Sequence, residues 1–104
     1  MIEESTKMNL YEYKVLEVLK NKDFCWLYGR SNSITSIIMN FLQDNNMRDK
    51  KPNGAICSAV ESLYKNKMVL VYDSEDFEQT TYKNYKVRIS WKGLWALWLY
   101  EKVK

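Results

Sequence analysis

The chain has 104 residues and a mass of 12.5 kDa, the size of a single domain that buries about two-thirds of its unfolded surface and needs no disulfide or metal to hold a core. Hydrophobic residues make up 46% and charged residues 28%, and with one Pro and three Gly this is a globular composition, neither linker nor collagen. The total absence of His excludes Ser-His-Asp and Cys-His catalysis, His general bases and nearly all zinc chemistry, and the net charge of +3 is a mild excess carried entirely by residues 51–104.

Residues 1–8 read as a flexible polar N-terminus and 9–104 as one domain. MIEESTKMNL has no apolar run of the kind a signal peptide carries. Asn9 with Glu12 three later predicts a capping box. Met8, Tyr11, Val15, Val18 and Leu19 then recur at helical spacing and predict a helix over about 10–20. FCWLY at 24–28 is short, apolar and aromatic, which predicts a strand. Ser33 caps a second helix over 34–44, in which Ile34, Ile37, Ile38, Phe41 and Leu42 form an unbroken amphipathic stripe.

The polar stretch 44–51 (DNNMRDKK) breaks that pattern, and Pro52 suits the first turn of a third helix over 52–65. Its stripe is Ile56, Val60, Leu63 and Tyr64, and Asn66 is expected to end it in the left-handed conformation. MVLVYD at 68–73 and the alternating TYKNYKVRIS at 81–90 predict a β-hairpin around a polar loop. Tyr85, Val87 and Ile89 share one face of its second strand, and Lys86, Arg88 and Ser90 the other. Ser90 is placed to cap a last helix over 91–103.

Cys25 and Cys57 both sit among apolar neighbours and read as buried free thiols, which suits a reducing cytoplasm. The longest apolar run, LWALWLY at 94–100, is far short of the roughly 20 residues that span a bilayer. No Gly-rich phosphate loop, HExxH, GxSxG or helical carboxylate pair occurs, and DSEDFE lacks the Gly and distal Glu of a calcium loop. The sequence therefore points to no enzyme, no catalytic residue, no metal, no cofactor, no small-molecule ligand and no membrane partner.

The order helix, short strand, helix, helix, strand, loop, strand, helix resembles the winged helix-turn-helix fold of small DNA-binding regulators of the PadR-like and MarR-like groups. Two phrases carry the resemblance. AVESLYKNKMVLVYD at 59–73 looks like a recognition helix running into the first wing strand, and VRISWKGLWAL at 87–97 like the second wing strand entering a final helix through the turn Ser90-Trp-Lys-Gly93. The resemblance implies an α+β winged helix, with a three-helix core, a wing hairpin with a short third strand and a C-terminal helix. It also implies a duplex-DNA-binding protein, either a transcriptional regulator or a DNA-organising protein. Three features depart from the pattern: the longer connection at 44–51, Asn66-Lys67 in place of the usual Gly, and the acids Asp73, Glu75, Asp76 and Glu78 where a wing normally presents cations to phosphate.

Within that fold, Arg48, Lys50 and Lys51 precede the recognition helix and are expected on phosphate, with Asn53, Ser58, Ser62 and Lys65 on its exposed face toward base edges. Lys86 and Arg88 on the last strand would add backbone contacts; equally, such a polar face guards an edge strand against aggregation. The last helix is apolar nearly all round, which asks for a second partner. A second copy, meeting through Tyr11 and Val15 of the first helix and Trp91, Leu94, Trp95 and Trp98 of the last, is the simplest. The rival reading is a winged-helix module for protein contact, an inhibitor or assembly factor, whose acidic wing meets a protein partner.

Overall fold

Asn9 opens the first helix as the sequence requires. Its side chain accepts from the Glu12 N–H at 2.8 Å while the Glu12 carboxylate accepts from the Asn9 N–H at 3.0 Å, so two of the orphan donors of the first turn are satisfied. The computed structural model describes residues 8–27, 29–47, 52–73 and 85–103. Over these residues the chain is mixed α+β, with four helices and a three-stranded antiparallel sheet. The helices are α1 (Leu10–Leu19), α2 (Ile34–Asp44), α3 (Pro52–Lys65) and α4 (Trp91–Val103). The strands are β1 (Cys25–Trp26), β2 (Val69–Asp73) and β3 (Tyr85–Ile89), in the order β1-β3-β2.

Helix α1 is central and touches α2, α3, α4 and β3. Its buried residues are Tyr13, Val15, Leu16 and Leu19. Tyr11 and Val18, placed on the stripe by spacing, are only half-buried, because the core also reaches round to Tyr13 and Leu16. Ile34, Ile38 and Leu42 of α2 and Ile56, Ala59, Val60 and Leu63 of α3 complete the helical side. Tyr64 of α3 leaves the expected stripe and stands exposed, while Ala59 takes a core position that its small size hid.

Strand β1 is shorter than the expected 24–28. Leu27 still donates from its N–H to the Tyr85 carbonyl at 2.9 Å, but Gly29, at φ +89°, then turns the chain into α2; Tyr28 lies outside the described residues. The register pairs Val87 of β3 with Cys25 on one side and Val71 on the other, and Lys86 with Trp26 and Tyr72. Cys25, Val87 and Val69 face the core. The other part of the expected second wing strand, 81–84, and the loop with Glu75, Asp76 and Glu78 lie outside the described residues.

Helices α2 and α3 end in the same way. At α3, Lys67 donates to Tyr64 O at 3.0 Å and Met68 to Leu63 O at 2.8 Å, a Schellman pair with Lys67 in the left-handed region at φ 61°. The left-handed residue is thus Lys67, not the expected Asn66. Asn66 stays in the helical turn, and its side-chain amide donates to the Ser62 carbonyl at 2.9 Å. At α2, Asn46 (φ 54°) plays the part of Lys67 and Asn45 that of Asn66, donating to Phe41 O at 2.8 Å.

Ser90 caps α4, its hydroxyl accepting from the Gly93 N–H at 3.1 Å and donating to the Lys67 carbonyl at 2.6 Å. One side chain thereby starts α4 and ties it to the end of α3. Tyr13 and Tyr100 hold α4 on α1 with ring centroids 4.8 Å apart, and the Tyr13 hydroxyl donates to Glu17 at 2.9 Å and Glu101 at 3.3 Å.

Candidate nucleic-acid interface

Helix α3 turns Ile56, Ala59, Val60 and Leu63 inward, so its helical period puts Ser58, Glu61, Ser62 and Lys65 outward. With Asn66 these four line one shallow groove. Ser58 and Lys65 are exposed and Ser62 is half-buried. Lys65 Nζ lies 3.1 Å from the Glu61 carboxylate one turn back, so the described part of this face is balanced in charge. Both partners are well exposed, so water screens the pair and it is easily exchanged for another anion. Asn53 is the second residue of α3. Arg48, Lys50 and Lys51 lie outside the described residues.

Lys86 and Arg88 stand apart from that groove, on the outer face of the sheet. Lys86 Nζ lies 4.9 Å from the centre of the Phe24 ring and 5.3 Å from that of Trp26. Arg88 is exposed and borders a groove shared with Lys20, Lys22, Asp23 and the start of α4. Sequence reasoning missed Phe24, Trp26 and Tyr72 on this same face. The signal was present but masked: in FCWL every residue is apolar, so the alternation of Phe24 and Trp26 outward with Cys25 and Leu27 inward cannot be seen as polarity.

The candidate seam divides. Trp91, Trp95 and Trp98 are 87%, 60% and 48% exposed, and Leu94 lies beside them on the same stripe. Ala96 and Leu97 point the other way, into the core. The chain's own core therefore leaves a whole apolar stripe of α4 in solvent. Tyr11 is half-buried beside α1's core positions. Val15 has no exposed surface and is corrected out of the seam, because the protomer's own core encloses it.

Both cysteines are free; Cys25 is buried and its thiol donates to the Asn32 carbonyl at 3.3 Å, whereas Cys57 on α3 is half-buried. Burial pushes both thiols above their ordinary pKa, so neither is an activated nucleophile. Among the described residues no three Cys, Asp or Glu side chains converge as metal ligands, and no helix is long and apolar enough to cross a membrane. No protein-family model matches the chain. Searches of curated proteins and of solved structures return no significant match either.

Proposed function

We propose that this chain is a winged-helix protein that binds duplex DNA as a homodimer, in a reducing cytoplasm that suits its two free thiols. The observation that carries the reading is the sheet order β1-β3-β2 under the element order α1-β1-α2-α3-β2-β3-α4. A short strand between the first two helices joins a hairpin that follows the third, and this leaves one polar helix face, Ser58, Ser62 and Lys65, directed away from the core. In this reading α3 enters the major groove, Ser58, Ser62, Lys65 and Asn53 meet base edges, and Arg48, Lys50 and Lys51 hold phosphate at its start. The exposed stripe of α4, with Tyr11, forms the two-fold seam, so that two α3 helices address a palindromic site.

The test is duplex titration of the full chain across salt concentrations. Replacing Lys50 and Lys51 with Ala should weaken binding alike for all sequences and flatten the log–log salt slope by about two. Absence of duplex binding at low salt removes this reading.

One observation favours the protein-contact alternative: Lys65 is matched by Glu61, so the described face of α3 has no net positive charge. Binding of a protein partner that survives Lys65→Ala and Lys50→Ala, without any retention on duplex DNA, would select it.

A further inference from the structure

One row of the sheet's outer face has rings on either side of a lysine, and in the next row Arg88 stands beside the exposed Leu70. The register sets Trp26 of β1 beside Lys86 of β3 and Lys86 beside Tyr72 of β2. Two strand spacings, about 10 Å, separate the flanking strands, and the Lys86 ammonium lies on the Phe24–Trp26 side, 4.9 and 5.3 Å from those ring centres. Phe24, two residues before Trp26, adds a ring packed edge-on against the indole with centroids 5.6 Å apart. Phe24 is 41% and Tyr72 47% exposed, and neither belongs to the hydrophobic core. The Arg30 guanidinium lies 3.7 Å above the Trp26 ring. Toward α4, the groove beside Arg88 is lined by Lys20, Lys22 and Asp23, with Lys20 paired to Glu101 at 4.0 Å.

We propose that this face is a binding site for single-stranded nucleic acid, distinct from the α3 face. Unstacked bases have apolar faces that lie flat on exposed rings or on a guanidinium plane, while the linking phosphates need cations at intervals between them. Phe24 and Tyr72 supply the exposed rings, Arg30 over Trp26 the guanidinium plane, and Lys86 and Arg88 the cations. A duplex gains nothing from flat exposed rings, because its bases are already stacked and present only their edges. An apolar protein partner would not call for Lys86 in the middle of the platform with Arg30 and Arg88 around it. No residue of α3 takes part, so the ring substitutions test this site apart from the duplex reading, whereas Lys86 and Arg88 are cations that the sequence also offers to a duplex backbone.

The test compares the full-length chain on labelled oligo(dT) and on a labelled duplex of equal length, by fluorescence anisotropy across salt. Paired Phe24→Ala and Tyr72→Ala substitutions should weaken oligo(dT) binding tenfold or more, at roughly tenfold per stacked base, with duplex binding unchanged. Tyr72→Phe keeps the ring and should keep the affinity, whereas Tyr72→Leu, equally apolar, should lose it. Lys86→Gln with Arg88→Gln should flatten the single-strand salt slope by about 1.4. Oligo(dT) left unbound at low salt overturns the proposal. So does oligo(dT) binding that Tyr72→Leu and the paired ring substitutions leave intact in folded protein, or a loss of duplex affinity equal to the loss for single strands.

Discussion

Gly93 lies directly against the main-chain carbonyl of Met68. A Cβ built on Gly93 would stand 2.1 Å from that oxygen and 2.8 Å from Cγ1 of Ile89. The contact follows from the Ser90 anchor, since Ser90 also donates its N–H to Met68 O at 3.0 Å and pulls the first turn of α4 onto the α3–β2 junction. The spacing Ser90-Trp-Lys-Gly93 is therefore a cap followed by a close approach. Gly93→Ala should destabilise the fold by about 2–3 kcal/mol, since the overlap with backbone outweighs the roughly 1 kcal/mol that Ala gains over Gly inside a helix. Urea unfolding is the measurement, and a neutral or stabilising result would show that α4 does not sit this close.

Trp95 and Trp98 stack with centroids 5.2 Å apart on the solvent side of α4. Each is about half exposed or more, so truncation removes little from the protomer's core. Trp95→Ala or Trp98→Ala should cost about 2–4 kcal/mol in self-association while leaving the stability of the monomer within about 1 kcal/mol. Sedimentation at micromolar concentration reads the first and thermal unfolding the second. A wild-type chain that sediments as a monomer of 12.5 kDa would remove the seam altogether.

Alkaline pH should loosen the α1–α4 contact. Burial, and then the hydrogen bond to Glu17 and the charges of Glu17 and Glu101, push the Tyr13 phenol well above its ordinary value near 10. The unfolded chain therefore releases this proton first, and the stability it contributes is complete below about pH 10 and falls as pH rises beyond it. Glu17 has the opposite sign. The hydrogen bond from Lys14 holds its carboxyl below the usual range against the effect of burial, so its contribution is lost on acidification. Tyr13→Phe should flatten the alkaline limb of a urea-midpoint profile. An unchanged slope would separate the phenol from the alkaline transition.

Lys67 should be improvable. A lysine at φ 61° bears the left-handed conformation at about 1 kcal/mol or more, against roughly 0.4–1 kcal/mol that Gly forfeits through its freer unfolded state. Lys67→Gly is expected to stabilise by about 0.5 kcal/mol, and Asn46→Gly by less, because Asn tolerates that region better. A larger gain at Asn46 than at Lys67 would reverse the ranking and the reason given for it.

Most element boundaries were legible because their signals are local. Ser33 and Ser90 both carry the hydroxyl that accepts from the third residue on, and Pro52 marks the start of α3. The amphipathic stripe of α2 named Ile34, Ile38 and Leu42, which are buried. Positions decided by tertiary contact were not legible. Val15 and Tyr11 share a helical stripe, but only packing tells which is enclosed. Asn66 and Lys67 were separable only through the Ser62 carbonyl that Asn66 satisfies. The platform of Phe24, Trp26 and Tyr72 escaped because a sheet's outward face was apolar where polarity is the usual clue. The exposed groove of Ser58, Ser62 and Lys65 was readable, since α3's apolar period left no other side for them.

Two indoles stacked in open solvent also have an optical consequence. Electronic transitions of Trp95 and Trp98 couple at this separation, so each ring no longer absorbs or rotates light as an isolated chromophore. The resulting circular-dichroism couplet overlaps the region from which helix content is usually taken, and the helicity of α1 to α4 read there would be distorted. The same couplet is a built-in reporter: it tracks the relative angle of two side chains on the exposed stripe of α4, where the proposed second copy would press, and it needs no label.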